Sequence, residues 1–345
     1  MRESSLLSYR MIMNLAKGIK TTIQNIPEHS LFKVAKEGKM LSLFCNYKDI
    51  FTGRSRECLE KRCLLTKLYT EHLAIMGEEL YTNGLVYYVF KTLKAFPYDM
   101  TDLDLLFINR KDMLRASKVL IEKHGFKPIA RGTYSISLRK TIRELDIDLD
   151  LQTKIAAGTF EYIEISNIKK IVGEIGYTSG ELSLLRPELE LIVVLGHAFY
   201  KDFSISLANI LYFEYLLGIT NKSVLEAVFK YYPHLLKPFK LLNYLTRSLR
   251  DAIYADKYVV ADEAGNNLEY LLIRKSIYKA LRKEQGVFPL PLLTVANNYV
   301  ETARMLAENR KFRQLRELLN LPRSRGVGLL FRRIGMLPPE ETIRM

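Results

Sequence analysis

Two short segments of this chain concentrate carboxylates in a pattern suited to metal chemistry. Thr101-Asp102-Leu103-Asp104-Leu105-Leu106 spaces two Asp at i and i+2. On a strand, that spacing directs both side chains to one face, roughly 6.5 to 7 Å apart. Leu145-Asp146-Ile147-Asp148-Leu149-Asp150-Leu151 repeats the device, with three Asp on one face and aliphatics on the other. Asp is depleted in strands, where Thr, Lys or Glu solvate an outer face more comfortably. The plainer alternative is that alternating Asp simply mark half-exposed strands. Laid side by side, however, the two segments gather up to five negative charges, and such a group calls for cations. Mg²⁺ or Mn²⁺ fits this need, taking oxygen ligands, retained waters and bridging phosphates. Two such ions roughly 4 Å apart can activate an attacking hydroxyl and stabilise a leaving pyrophosphate.

The elements that must position these carboxylates are legible in part. Before residue 84 the apolar spacing is helical, as in Leu59, Cys63, Leu64, Leu68 and Leu73, and predicts a long helix over about 57–79. Leu85–Lys91 and Leu103–Ile108 read as strands, rich in β-branched and aromatic residues. A helix over about 110–123 follows, closed by His124-Gly125. Strands are predicted at 127–130, 133–138, 144–152 and 161–168. From Arg186 the period is helical again, broken at Gly218, Pro233, Gly265 and Pro289-Leu-Pro291. The expected fold class is α+β: a small mixed β-sheet core over 84–180, a helical region at 1–83 and a helical domain with a basic tail at 181–345.

Three pieces of this pattern, Tyr88-Val-Phe-Lys91-Thr92-Leu-Lys94, then Asp102-Leu-Asp104-Leu, then Ile147-Asp148-Leu149, resemble the nucleotidyltransferase superfamily with the DNA polymerase β-type fold. The likeness is to its uncharacterised bacterial and archaeal branch and covers roughly residues 84 to 215. It implies that Asp102 and Asp104 bind metal and that Asp148 completes the site or assists the acceptor hydroxyl. Asp146, Asp148 and Asp150 share a face, so strand stagger decides which one reaches the pair; the family spacing favours Asp148 and leaves Asp150 peripheral. Relatives carry Gly-Gly, Gly-Ser or Lys-Gly where this chain has Lys91-Thr92. Glycine there permits close approach of backbone to triphosphate, whereas here the Thr92 hydroxyl would serve as donor and Lys91 as a point charge. Leu195-Gly-His197-Ala-Phe-Tyr-Lys201 places His197 and Lys201 at i and i+4 on a helix, and similar proteins hold such a pair beside the nucleotide. The implied activity is Mg²⁺-dependent transfer of a nucleoside monophosphate from an NTP to an acceptor hydroxyl; acceptors of the superfamily range over RNA ends, protein hydroxyls and small molecules, and the positive charge of this chain tilts the choice to RNA or tRNA. The alternatives are a catalytically inactive RNA-binding protein of the same fold, or a toxin of a toxin–antitoxin pair that modifies tRNA or protein.

Composition is compatible with these readings. Among 345 residues, 52 Lys and Arg against 38 Asp and Glu give a net charge of +14, which attracts polyanions. The segment Arg310-Lys311-Phe312-Arg313-Gln-Leu-Arg316, followed by Arg323, Arg325, Phe331, Arg332 and Arg333, is a candidate phosphate-backbone patch. No apolar run approaches the roughly 18 to 20 residues of a membrane span, so no membrane partner is expected. The beginning of the chain lacks the apolar stretch of a secretory signal. Three cysteines, Cys45, Cys58 and Cys63, make no disulfide framework and no zinc spacing, so Cys58 and Cys63 are expected as buried thiols of a cytoplasmic protein.

Overall fold

The computed structural model describes residues 3–19, 26–158, 160–254 and 267–320. Helices α1 (Glu3–Ala16), α2 (Glu28–Glu37) and α3 (Gly53–Thr82) form the amino-terminal part. The 30-residue α3 buries Tyr69, Leu73, Met76 and Leu80, which recur every three or four positions and so form one stripe. Strands β1 (Tyr87–Val89) and β2 (Leu103–Phe107) follow, then α4 (Arg110–His124). Helix α4 is capped by the Asn109 side chain, which accepts from the Asp112 amide at 2.9 Å, and ends at Gly125 with φ of 69°. Next come β3 (Lys127–Arg131), β4 (Ser135–Ile142), β5 (Leu145–Gln152), β6 (Ile155–Ala157) and β7 (Phe160–Ile163). Helix α5 (Ile165–Val172) and strands β8 (Gly176–Ser179) and β9 (Leu182–Leu185) complete the sheet region. The remainder is helical: α6 (Pro187–Gly196), β10 (Ser204–Ser206), α7 (Leu207–Ile219), α8 (Lys222–Tyr231), α9 (Leu236–Tyr254), α10 (Leu268–Arg282), β11 (Val287–Pro289), α11 (Leu292–Glu308) and α12 (Phe312–Asn320).

The fold is α+β, with one seven-stranded mixed sheet in the order β3-β4-β5-β2-β1-β9-β8 and helices on either side of it in sequence. The two acidic strands are neighbours. β2 and β5 run parallel, with Leu103 opposite Leu149 and Asp104 opposite Asp150. In β5 the aliphatic residues are buried and the Asp face is turned outward, a strict alternation along Leu145–Gln152.

Three expectations change. The strand expected at 161–168 ends at Ile163 and gives way to α5, while β8 and β9 extend the sheet to Leu185, past the expected boundary at 180. The two strands turn at Gly180, with φ of 60°, and at four residues each are too short to show a strand period. The expectation of no disulfide, with Cys58 and Cys63 as buried thiols, is overturned at Cys63, which is bonded to Cys45 with Cα atoms 5.7 Å apart; Cys58 is free and half-buried. The short helical turn Leu41–Phe44 packs on α3 and brings the two together across 18 residues, a proximity that cysteine number and spacing do not disclose. Among the described residues no helix is long and apolar enough to cross a membrane.

Candidate functional site

The antiparallel pairing of β4 with β5 decides which carboxylate joins Asp102 and Asp104. The turn between them is two residues long, Arg143 and Glu144, with φ of 48° and 66°, the twist a tight hairpin requires. It sets Arg139 opposite Asp148, Thr141 opposite Asp146 and Ser137 opposite Asp150. Arg139 therefore grips Asp148 with two parallel bonds, Nε to Oδ1 at 2.6 Å and Nη2 to Oδ2 at 2.8 Å. Its Nη1 lies 3.0 Å from Asp146, which also accepts from the Thr141 hydroxyl at 2.7 Å. The cross-strand neighbour of Asp150 on β4 is neutral, and its neighbour on β2 is Asp104.

The carboxylate group of the site is accordingly Asp102, Asp104 and Asp150, each offering an oxygen within 4.8 Å of the others. Asp148, the residue expected in that place, lies outside this group of three and is paired with Arg139. Three convergent carboxylates form a hard-oxygen donor set of the kind that binds Mg²⁺ or Mn²⁺.

Asp104 is buried, and Lys91 sits on it with Nζ 2.7 Å from Oδ1. The Gln152 amide donates to the same oxygen at 2.7 Å. Burial pushes the Asp104 carboxyl up to about 6; Lys91 opposes that shift, while Asp102 and Asp150 reinforce it.

The turn after β1 is built around two residues of expected function. Lys91 has φ of 61°, a left-handed conformation that glycine adopts without cost and most residues avoid. Its amide donates to both oxygens of Glu190 on α6, at 3.0 and 3.2 Å. The Thr92 hydroxyl accepts from the Asp104 amide at 2.8 Å and donates to the Phe90 carbonyl at 3.1 Å, and the residue is buried. Thr92 is thus a strut fastening β1 to β2 beside the carboxylates, in place of the expected phosphate donor. The Tyr98 hydroxyl closes the turn on the Lys91 and Thr92 carbonyls, and Asp99 accepts from the Leu41 and Ser42 amides. From α3, the Tyr69 hydroxyl donates to the Thr101 carbonyl at 2.6 Å and accepts from the Asp148 amide at 3.3 Å, bracing both acidic segments.

A cleft of about 240 Å³ opens over Asp102 and Asp104. Lys39, Lys91, Lys94, His197 and Lys201 line it, with Tyr98 and Asn209. His197 and Lys201 occupy a π-helical turn continuing α6, in which the Asp202 amide bonds to the His197 carbonyl at 2.8 Å. Burial, with Lys201, Lys91, Lys39 and Lys94 nearby, keeps the His197 imidazole well below its ordinary range and therefore neutral.

No family model and no curated protein sequence matches the chain.

Sequence reasoning passed over Lys39, Lys94, Tyr98, Gln152 and Glu190. Lys94 is half-buried, its ammonium 4.4 Å from the ring centroids of both Tyr98 and Tyr212, and it is pushed down by burial although Glu190 opposes this. Glu190 is pushed up by the same burial, and Lys94 and the Lys91 amide oppose the shift. A signal for Glu190 existed: α6 is apolar almost throughout, so an acid inside it needs a cationic or amide partner. Lys39 comes from far upstream. Gly38 and Gly286 touch backbone to backbone, where a Cβ on Gly286 would lie 2.0 Å from the Gly38 nitrogen, and this contact brings the end of α2 to the rim of the cleft.

In the basic tail, Lys311 donates to the Tyr231 carbonyl at 3.0 Å, and Arg313 is paired with Glu161, Glu164 and Glu317. Those cations serve the protein's own packing. Arg323, Arg325, Phe331, Arg332 and Arg333 lie outside the described residues.

Proposed function

We propose that the chain is a metal-dependent nucleotidyltransferase, moving a nucleoside monophosphate from an NTP to an acceptor hydroxyl. One observation carries the reading: Asp102, Asp104 and Asp150 converge within 4.8 Å, and the first two line a cleft that Lys39, Lys91, Lys94 and Lys201 also line. Acid at the floor and lysine on the walls match a metal-chelated polyphosphate, which needs both. The left-handed Lys91 adds support, because it gives the strand-ending turn the backbone shape that glycine provides in the superfamily this chain resembles.

Asp102, Asp104 and Asp150 would hold Mg²⁺ or Mn²⁺, which supplies charge neutralisation at the transferring phosphorus and its leaving group. Lys39 and Lys201 are exposed on the rim and meet the terminal phosphates. Lys91, released from Asp104 when the carboxylates take a divalent ion, turns its ammonium to the same phosphates. His197, neutral among the lysines, offers a hydrogen bond without adding charge. In the transfer itself the acceptor oxygen bonds to the α-phosphorus, the bond to the bridging oxygen breaks, pyrophosphate leaves, and a carboxylate of the group takes the hydroxyl proton.

Incubating the protein with labelled NTPs, Mg²⁺ and total RNA or lysate tests the reading. Label should enter a macromolecule, and Asp104→Asn should lower the rate on the order of a thousandfold, the loss of several kcal/mol of charge stabilisation. Absence of transfer with every NTP and with either metal would replace the enzyme by a silent binding protein. The contact of Lys91 with Asp104 is the feature that favours this second reading.

A further inference from the structure

A basic surface without carboxylate partners among the described residues lies on α10. Arg274, Lys275, Lys279, Arg282 and Lys283 fall within ten residues, and none forms an ion pair with a carboxylate. Lys275, Lys279, Arg282 and Lys283 stand at i, i+4, i+7 and i+8, which is one helix face, and all four are exposed. Attraction to the helix dipole explains cations in the last turn, where Lys279 and Arg282 lie. It does not explain Arg274 and Lys275, which lie more than a turn farther back.

Two adjoining grooves, of about 640 and 680 Å³, share Lys275, Lys279 and Lys283 as their common wall. One continues to Gln285 and Glu37, which flank the close contact of Gly286 with Gly38, and the next residue of the chain is Lys39 on the rim of the cleft. A basic track thus runs from α10 toward the carboxylates. Glu37 and Glu284 are the acids along it, and Glu37 is engaged by the Gly286 amide at 3.2 Å.

We infer that this face of α10 docks the phosphodiester backbone of an RNA whose end enters the cleft. The inference rests on the transferase reading only in making that RNA the acceptor. Lysines four residues apart rise roughly 6 Å along the helix, comparable to the spacing of successive phosphates along one strand. Arg274, whose guanidinium lies over the Tyr278 ring 5.6 Å from its centroid, presents with it a flat cation and a ring of the types on which unpaired bases stack. An acidic polypeptide could match the charge but would leave this planar pair without a complement.

The test is fluorescence anisotropy of the full chain with a labelled single-stranded RNA, titrated with salt in EDTA and without nucleotide. Wild-type binding should weaken steeply with salt. Replacing three lysines, K275Q/K279Q/K283Q, should weaken binding about tenfold or more at low salt and flatten the logarithmic salt slope by about 2, since each neutralised phosphate on a single strand contributes roughly 0.7. The charge-matched control K61Q/K222Q/K230Q, also at exposed positions, should keep the wild-type slope. Equal losses in the two variants would overturn the inference in favour of diffuse charge. Displacement of the RNA by poly-glutamate as readily as by unlabelled RNA would overturn it in favour of an acidic protein partner. Because the assay contains neither metal nor NTP, absence of label transfer alongside an intact α10 effect counts against the transferase reading alone.

Discussion

The two ends of β5 carry the same chemistry and meet opposite fates. At its beginning, Asp146 and Asp148 face Thr141 and Arg139 across the hairpin and both pair with that arginine. Near its end, Asp150 faces neutral Ser137 on one side and Asp104 on the other, so negative charge accumulates where the cleft opens. Three identical side chains on one face are thus divided into a structural pair and a functional candidate by what the neighbouring strands present. A carboxylate's role in a sheet belongs to its cross-strand environment as much as to its own position.

That division is most directly broken by exchanging single oxygens for amides at each end. Asp150→Asn should depress label transfer strongly, within an order of magnitude of Asp104→Asn, and weaken Mn²⁺ binding read by electron paramagnetic resonance. Asp148→Asn should leave transfer within about threefold of wild type. It removes half of a partly exposed ion pair, so its cost should appear in thermal unfolding as about 1 kcal/mol or less. The opposite ranking, with Asp148 indispensable and Asp150 dispensable, would restore the family spacing and remove register as the deciding factor.

A smaller effect should come from pH. Asp104 is held up at about 6 by burial, with Lys91 opposing and Asp102 and Asp150 reinforcing the shift, so it takes up a proton as the pH falls through 6 instead of near 4. A protonated carboxyl does not ligate a cation. Mn²⁺ affinity should therefore be level above pH 7 and fall by up to about tenfold per unit below pH 6, the proton competing at a single site. In Asp148→Asn the same profile is expected. A profile that stays level down to pH 4.5 would mean that Asp104 is not a ligand.

Much of this was written plainly in the sequence. The i and i+2 spacing of Asp102 and Asp104, the alternation along β5, the helix from Arg110 and its end at Gly125 all follow from period and capping, and the structure has them. The choice between Asp148 and Asp150 was hidden for a specific reason. A two-residue turn at Arg143-Glu144 fixes the register, yet neither residue belongs to the Asn-Gly or Asp-Gly types that advertise such a turn. Once that turn is known, Arg139 must lie opposite Asp148 and the rest follows. Lys39 and Cys45 were illegible for a different reason: each reaches its partner through a long-range contact, the Gly38–Gly286 approach in one case and the packing of Leu41–Phe44 on α3 in the other. Thr92 was assigned by analogy to a ligand, whereas its hydroxyl is consumed by backbone groups of two strands, a demand that becomes evident only when β1 and β2 are paired.

The finest contrast between the two ends of β5 concerns the cation each one holds. Arg139 makes a two-point, planar grip on Asp148, while Lys91 makes a single contact with Asp104 at 2.7 Å from a mobile four-carbon stem. The first is built to stay and the second can leave. Lys91 therefore competes with divalent metal for Asp104, and afterwards becomes free to meet phosphate. Lys91→Met should separate these roles by giving them opposite signs. At pH 8 Mn²⁺ alone should bind about two- to fivefold more tightly, because the divalent ion no longer has to displace an ammonium from a buried carboxylate. Binding of NTP in the presence of the same metal should weaken by a similar factor, since a phosphate partner has been lost. Arg139→Met offers the control, changing neither affinity by more than the scatter of the titration. If Mn²⁺ binds Lys91→Met less tightly than wild type, Lys91 supports the carboxylates instead of contesting them, and the difference between the two cations is one of position alone.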